Sequence, residues 1–383
     1  MKARVLCGLD QLDRADAVLR GRRIGLMTNP TGIDRGFHSV IDILAEHYRL
    51  NALFACEHGV RGDMQAGAEI GAFTDPGTGV VVYSLYGKTR RLTSDMLDAF
   101  DVLVFDMQDV GARFYTYLYS LSYALEACAQ AGKPVIVLDR PNPVGGAQVS
   151  GTLLDERFHS FVGEYPLPTR YGLTIGEYAL WAKDHLRLKL DLTVVPLSGW
   201  RRDMYFPDTG LHWVAPSPNC PTSETAIVYS GTCIFEGTNL SEGRGTTLPF
   251  QLIGAPYVDC RELEKRMASL QLPGLHFRRA SFTPQFSKWV GETCHGVQMH
   301  VTDRALADPF TGGLMLLEQI RLMHPDAFAF RPPEDGSATW TIDRLLGTDD
   351  YRTGKLDAGG LIEAHQPLVK EFAALKKRHE LYP

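Results

Sequence analysis

The chain has 383 residues, of which 44% are hydrophobic and 22% are charged, and its formal net charge is -6 at pH 7. This composition is typical of an ordinary globular protein and excludes a disordered chain, and the length favours two domains. No run of Lys and Arg would neutralise a phosphate backbone, so we expect no nucleic-acid partner.

The sequence shows neither a secretory signal nor a membrane span. The basic N-terminus lacks a long apolar stretch, and no uninterrupted apolar run reaches membrane length, so we expect a cytoplasmic protein with no membrane contact. The seven cysteines are scattered and never spaced as C-x-x-C, which argues against a disulfide framework and a structural zinc ion. H-E-x-x-H is also absent, and we expect no bound metal.

Strands and helices alternate from residue 20 to about residue 200. The predicted strands span residues 23–28, 51–56, 80–84, 102–106, 134–138 and 192–196, and helices are predicted over residues 39–48 and 115–131. Thr174 and Glu177 have the spacing of a capping box and predict the start of another helix. Runs that are apolar on both faces and separated by helices indicate an α/β fold with a Rossmann-like, doubly wound, mostly parallel sheet.

A carboxylate and an imidazole, Glu57 and His58, follow the second predicted strand, with Arg61 and Asp63 within five residues. The carboxyl ends of parallel strands meet at a common crevice where ligands bind. Glu57 is therefore the leading candidate for a catalytic acid. The alternative is a solvated glutamate, or one that caps the next helix.

The same pattern follows two later strands. Asp109 and Arg113 come after the strand at 102–106, with Tyr115 and Tyr117 behind them. The strand at 134–138 is followed by three polar residues, Asp139, Arg140 and Asn142. Because surface loops do not need such residues at each strand end, a shared polar cleft explains the pattern better than separate loops.

The glycine patterns do not indicate a nucleotide cofactor. The turn after the first strand contains Asn29 and Gly32 but no G-x-G-x-x-G, which disfavours nicotinamide chemistry. Gly87-Lys88-Thr89 lacks the earlier glycine of a P-loop, because that position is Val82. We expect no cofactor.

A stretch rich in Pro and Gly runs from residue 198 to 245, broken by a predicted short helix over residues 223–229. Its polar residues can donate to and accept from a sugar or a carboxylate, and those of interest are Asn219, Glu236, Asn239, Glu242 and Arg244. The alternative is a structural loop in which these charges pair with one another.

The alternation fades after residue 245, where we place the domain boundary. Helices are predicted over residues 259–270 and 312–323, and strands over residues 276–282 and 296–301. This pattern indicates a smaller α+β domain over residues 246–383. A cleft between two domains is a common ligand site.

Together these motifs resemble the exo-β-N-acetylmuramidases, a bacterial family of glycoside hydrolases that remove terminal N-acetylmuramic acid from the non-reducing end of peptidoglycan fragments. The matching segments are residues 28–32, 57–63, 83–89, 108–111, 113–117, 139–143, 199–202, 236–239 and 241–246. The resemblance implies a Rossmann-like N-terminal domain, an auxiliary C-terminal domain and an active site in the cleft, with Glu57 as the catalytic residue.

Glycoside hydrolysis needs an acid that protonates the leaving oxygen, and we assign Glu57 to it. The second catalytic group stays open: His58, Asp109, Asp139, Glu236 and Glu242 qualify by type, and the acetamido group of the sugar is an alternative nucleophile. Muramic acid carries a lactyl carboxylate, and its predicted partners are Arg61, Arg113, Arg140 and Arg244. Further predicted sugar contacts are Asn29, Asp63, Tyr115, Tyr117, Asp139, Asn142, Asn219 and Asn239.

Two other functions fit the same cleft. A non-catalytic sugar-binding protein would bind the substrate without releasing product. An amidase or esterase would need an activated nucleophile, and the sequence has no G-x-S-x-G to present one.

Overall fold

The computed structural model describes residues 5–57, 59–62, 73–86, 89–333 and 336–383. The strands are β1 (Arg23–Thr28), β2 (Arg49–Ala55), β3 (Phe73–Thr74), β4 (Val81–Ser84), β5 (Val102–Asp106), β6 (Val135–Leu138), β7 (Ser150–Leu153), β8 (Pro168–Arg170), β9 (Leu192–Val195), β10 (Leu252–Ala255), β11 (Leu275–Phe282) and β12 (Cys294–Val301).

The helices are α1 (Asp16–Leu19), α2 (Val40–His47), α3 (Ser94–Asp98), α4 (Tyr117–Ala131), α5 (Ile175–His185), α6 (Phe206–Thr209), α7 (Ser223–Thr232), α8 (Cys260–Ser269), α9 (Pro309–Met323), α10 (Thr341–Leu346) and α11 (Ala358–Leu375). None of the helices in the described ranges combines the length and the apolar character that a membrane crossing requires.

Seven strands form one sheet in the order β3-β4-β2-β1-β5-β6-β9. Every pairing in it is parallel except that of β3 with β4. The chain adds strands on one side of β1 and then returns to add β5, β6 and β9 on the other side. The predicted doubly wound, mostly parallel sheet is confirmed.

Both faces of this sheet are buried, which is why its strands are continuously apolar. In β5, Leu103 and Phe105 pack into the core on one face, together with α4 and α5. Val102 and Val104 pack into the core on the opposite face with α2. Successive side chains of a strand point to opposite faces, so a strand between two cores needs apolar residues at every position.

The capping box predicted for α5 is present. The Thr174 side chain accepts from the backbone N–H of Glu177 at 3.2 Å, and the Glu177 carboxylate accepts from the Thr174 N–H at 3.0 Å. Each side chain satisfies a backbone donor that the helix itself leaves unpaired. Glu177 also pairs with Arg202, which ties the helix start to the segment after β9.

A smaller antiparallel sheet, in the order β10-β12-β11, forms the second unit with α8 and α9. Helix α7 crosses α9 closely: a Cβ added at Gly231 would lie 1.7 Å from the Pro309 carbonyl oxygen. Only glycine allows this approach. Residues of α7 and of the following segment 233–240 pack into the same second core. The boundary after residue 245 stays a prediction.

Several elements have no counterpart in the sequence predictions. These are the strands β3 and β10, the hairpin β7-β8, and the helices α1, α3, α6, α10 and α11. Helix α11 packs on β7, and the hairpin lies between β6 and α5 in the chain. Residues 110–114 leave the carboxyl end of β5 and insert Val110, Ala112 and Phe114 into the second core, so they join the two units.

Candidate active site

A cleft lies beside the carboxyl ends of β2 and β5, where the first unit meets the second. It encloses about 840 Å³, including its open mouth. One wall consists of Glu57, the segment 114–117, Val162 and the segment that contains Asn219. The other wall, which meets the first at the Tyr115 and Tyr229 rings, consists of Tyr229, Cys233, Glu236, Arg244 and Phe250. The volume is in the usual range for small-molecule sites.

Glu57 lies two residues beyond β2 and is partly exposed in the cleft. The Tyr86 phenol is its neighbour, since burial and then the Glu57 charge raise the pKa of Tyr86. His58 and Asp63, predicted for the same site, lie outside the described residues. The preceding residue, Cys56, is buried, and burial raises the pKa of its thiol to about 12, which is the behaviour of a core residue.

Glu236 and Arg244 face the cleft from the other wall. Arg244 Nη2 donates to Glu236 Oε1, and Arg244 Nε lies 3.6 Å from Glu242 Oε1. Burial raises the pKa of Glu236 and Arg244 lowers it, while the negative charges of Glu242 and Glu57 raise it further. Glu57 and Glu236 are therefore close enough for their charges to interact across the cleft.

Aromatic rings form much of the cleft surface. The Tyr115 and Tyr117 rings meet edge to face with centroids 4.9 Å apart, as do Tyr229 and Phe250 at 4.7 Å. The Tyr117 hydroxyl donates to the Pro216 carbonyl at 2.7 Å. The Tyr115 hydroxyl is buried and has no hydrogen-bond partner. An unpaired buried hydroxyl in a cleft is available to a ligand hydroxyl.

Asn29 also has a buried and unpaired polar atom. Its Oδ1 accepts from the Thr31 backbone N–H at 3.0 Å and from the Thr31 hydroxyl at 2.5 Å. These bonds fix the amide so that Nδ2 is the remaining donor, and Nδ2 makes no hydrogen bond of normal geometry. It lies beside the Tyr117 phenol, whose pKa is raised by burial and lowered by the Asn29 amide.

Four predicted site residues and one further aspartate instead form a buried cluster at the ends of β5 and β6, which we call the strand-end cluster: Asp106, Asp109, Asp139, Arg140 and Asn142. Of these, Asp106 was not a predicted site residue. Arg140 Nε donates to Asp106 Oδ1 at 2.5 Å, and Nη2 donates to Asp106 Oδ2 at 2.9 Å. Asn142 donates to the Leu173 carbonyl at 2.8 Å.

Asp139 and Asp109, the two other acids of the strand-end cluster, accept hydrogen bonds from backbone N–H groups and from side-chain hydroxyls. Asp139 accepts from the Thr174 hydroxyl at 2.8 Å, from the Gly176 N–H at 2.7 Å and from the Tyr382 hydroxyl. Burial raises the pKa of Asp139 to about 7 and that of Asp109 to about 6. Asp109 accepts from the Gly111 N–H at 2.6 Å and from a tyrosine hydroxyl. These contacts lie outside the cleft lining.

Three further predicted residues also have structural contacts. Arg113 is fully buried and donates to three backbone carbonyls, those of Thr152, Leu167 and Leu345, at 2.6–2.7 Å. Arg61 pairs with Asp75 at 2.6 Å and with Asp42 at 2.9 Å. Asn239 accepts from the Tyr257 hydroxyl at 2.9 Å and donates to the Ala327 carbonyl at 2.8 Å. None of the three lines the cleft among the described residues.

Glu242 is 2% exposed and lies behind the cleft wall, where Lys288 Nζ contacts its Oε2 at 2.8 Å. Lys288 was not predicted as a site residue, because a single lysine between two predicted strands has no pattern that distinguishes it from a solvated residue. Tyr229 and Phe250 were missed for a similar reason, since an aromatic residue near a helix is usually a core residue. The structure thus brings Glu57, Tyr115, Tyr117, Asn219, Glu236 and Arg244 together in one cleft.

The comparisons with known proteins cover both units. A family model described as the N-terminal part of the exo-beta-N-acetylmuramidase NamZ matches residues 24–224, and the corresponding C-terminal model matches residues 227–382. The chain belongs to the exo-β-N-acetylmuramidase NamZ family. The motif resemblance to this family is therefore confirmed.

Individual members of the NamZ family align over nearly the whole chain. The peptidoglycan beta-N-acetylmuramidase NamZ of Bacillus subtilis (strain 168) is 47% identical over 388 residues, which cover 100% of this chain and 92% of that protein. Crystal structures of two DUF1343 family proteins from Bacteroides fragilis NCTC 9343 superpose with TM-scores of 0.91 and 0.76, at 35% and 30% identity. Each alignment covers 99% of both chains. The fold and the pairing of the two units are those of the family.

Proposed function

We propose that this chain hydrolyses the β-glycosidic bond of a terminal N-acetylmuramic acid residue at the non-reducing end of peptidoglycan fragments. Membership of the NamZ family makes it a glycosidase of peptidoglycan. One observation supports the chemistry most directly: Glu57 and Glu236 line the same cleft, and the charge of Glu57 acts on Glu236. Most glycosidases use two carboxyl groups that flank the scissile bond.

Glu57 acts as the general acid in this proposal. It stands at the end of a rigid strand in a partly exposed position, where it can reach the glycosidic oxygen of a bound fragment. Proton donation to the leaving oxygen is typically worth about 10²- to 10⁴-fold in rate.

Glu236 acts from the other wall, on the nucleophile that attacks the sugar. Burial keeps the pKa of Glu236 above its ordinary value, while Arg244 beside it favours the ionised form. A carboxylate balanced in this way can take a proton from water or hold the acetamido group as it attacks.

Arg244 selects muramic acid through the lactyl carboxylate. Of the four arginines predicted for this task, Arg244 is the one that lines the cleft among the described residues, and a guanidinium can bind a carboxylate through two parallel hydrogen bonds. Tyr115 Oη and Asn29 Nδ2 are unpaired buried atoms that would bond to sugar hydroxyl and acetamido groups. A cytoplasmic location stays a prediction of the sequence, which cell fractionation would test.

Two isosteric variants test the two carboxyl roles. Glu57→Gln should lower kcat by about 10²- to 10⁴-fold on a disaccharide substrate, because its leaving oxygen needs a proton. The loss should be much smaller on a 4-nitrophenyl muramide, whose leaving group departs without one. Glu236→Gln should lose activity on both substrates alike. Release of N-acetylmuramic acid is measured by chromatography.

The exposed Glu46→Gln serves as the matched control and should keep wild-type rates. Equal losses of Glu57→Gln on both substrates would contradict the general-acid role. A wild-type protein that binds muramides without releasing product would support the sugar-binding alternative instead.

A further inference from the structure

The carboxylate Glu236 is the cleft end of a row of four alternating charges. Arg244 contacts Glu236 and lies 3.6 Å from Glu242, and Glu242 accepts from Lys288 Nζ at 2.8 Å. The row runs from the cleft into the interior: the side chains of Glu236 and Arg244 are 27% and 33% exposed, whereas those of Glu242 and Lys288 are 2% and 12% exposed. Charges buried in this way are tolerated only when each has a partner.

Lys288 belongs to the connection between β11 and β12, residues 283–293, which we call the clamp loop. Its ammonium also donates to the backbone carbonyls of Phe235 and Leu240, both at 2.7 Å. All three donors of the ammonium group are thus used on the segment that carries Glu236 and Arg244. Lys288 itself does not line the cleft.

The clamp loop contains strained backbone. Ser287 and Trp289, on either side of Lys288, have φ values of +73° and +58°, which are unfavourable for residues with a Cβ. Trp289 Nε1 donates to the Asn239 carbonyl at 2.6 Å. The N–H of Gln285 donates to the Gly245 carbonyl at 2.9 Å. The loop therefore contacts residues 235–245 along most of their length.

We propose that Lys288 is a positioning residue of the active site, which holds Glu242 in place so that Arg244 and Glu236 keep their places in the cleft. The inference rests on the proposed function, since it assigns Glu236 and Arg244 to catalysis and to recognition of the lactyl carboxylate. Lys288 acts through Glu242 and Arg244 rather than on the substrate, because two side chains separate it from the cleft.

Removal of the ammonium group has a chemical consequence beyond a looser loop. In Lys288→Met, the buried Glu242 carboxylate would lose its shorter ion pair and would keep only Arg244, whose Nε lies 3.6 Å away. Arg244 would then turn towards Glu242 and away from Glu236 and the lactyl carboxylate. The charged groups that act on Lys288 are Glu242, Glu236 and Arg331, with Arg244 on the far side of Glu242.

The test compares kcat and KM for release of N-acetylmuramic acid. We expect Lys288→Met to lose about 10²-fold in kcat/KM, as a displaced catalytic group does, with a lower kcat as well as a higher KM. Lys288→Met/Glu242→Gln should regain part of that loss, because Arg244 no longer has a buried carboxylate to turn to. Lys288→Arg should keep most of the activity. Lys265→Met, an exposed lysine of α8, is the matched control.

Two results would overturn the proposal: a folded Lys288→Met with wild-type kcat and KM, or a loss that Lys288→Arg shares in full. If Lys288→Met does not fold, Glu242→Gln decides the question, because it leaves the Lys288 bonds to Phe235 and Leu240 intact. Wild-type activity in Glu242→Gln would contradict the claim that the row of charges positions Arg244 and Glu236.

Thermal stabilisation by added N-acetylmuramic acid gives a readout that does not depend on turnover. Wild type and Lys288→Arg should be stabilised by the sugar, and Lys288→Met should be stabilised less. A wild-type chain that is stabilised but releases no product would contradict the proposed function, and the difference between the Lys288 variants would still decide the role of Lys288.

Discussion

The strand-end cluster and the cleft contain the same kinds of residue, yet their charges have different partners. In the strand-end cluster every charged group is buried and is bonded to the protein itself, as Arg140 is to Asp106 and Asp139 is to Thr174 and Gly176. In the cleft, Glu57 is partly exposed and Tyr115 Oη has no partner. Residue type at a strand end therefore does not identify a site, whereas unused bonding capacity beside open space does.

The position of the second unit explains this difference. Residues 110–114 carry the chain from β5 into the second core. Glu57, two residues beyond β2, lines the cleft together with Glu236 and Arg244. The crevice expected at the strand ends is thus displaced towards β2 and the second unit.

The largest effect that tests this comparison is expected for Arg140→Met. The substitution leaves the fully buried Asp106 carboxylate without its cation, which should lower the free energy of unfolding by about 3–5 kcal/mol. Urea unfolding measures the loss. The exposed pair of Arg20 and Asp16 gives a control, since Arg20→Met should have a far smaller effect in solvent.

Substrate choice should not change in Arg140→Met, because Arg140 lies outside the cleft lining. A variant of normal stability that no longer prefers muramides to glucosaminides would contradict this expectation and would return Arg140 to the binding site.

The next effect concerns pH and Asp139. Its pKa is about 7 in the folded protein against an ordinary value of 3.8, because burial disfavours the charged form. Between those two values the folded chain keeps a proton that the unfolded chain has lost. The contribution of Asp139 to stability should therefore be largest below about pH 4 and should fall as the pH rises to about 7.

Unfolding of wild type and Asp139→Asn at a series of pH values measures this contribution. The free energy of unfolding of wild type, taken relative to the variant, should decrease between about pH 4 and pH 7. A relative stability that increases over this interval would show that the hydrogen bonds from Thr174, Gly176 and Tyr382 keep Asp139 ionised.

The smallest effect is expected for Tyr115→Phe. Removal of a buried hydroxyl that has no partner should raise the free energy of unfolding by about 1 kcal/mol. If the hydroxyl binds the sugar, KM should rise at the same time. Tyr117→Phe is the matched control: its hydroxyl donates to the Pro216 carbonyl, so the same deletion should lower stability. If Tyr115→Phe and Tyr117→Phe changed stability and KM equally, the expected difference between the two hydroxyls would be contradicted.

Much of the fold could be predicted from local patterns in the sequence. Six of the seven strands of the large sheet, the helices α2 and α4 and the start of α5 lie within a few residues of their predicted bounds. A strand buried on both faces needs an apolar run of a set length, and Thr174 with Glu177 fixes a helix start. Helix α11 and the hairpin β7-β8 were missed. Each is stabilised by the other, since α11 packs on β7, and such long-range contacts leave no periodic signal.

The candidate site likewise depends partly on local sequence patterns and partly on long-range contacts. The sequence alone determined the α/β class, the motifs that identify the family, and the positions of Glu57, Glu236 and Arg244, because residue types and spacing are local properties. Tertiary structure alone decided that Arg113, Arg140 and Asp139 bond to the protein, and that Lys288, some 46 residues along the chain from Glu242, is its buried partner. Burial and pairing are set by which distant segments meet.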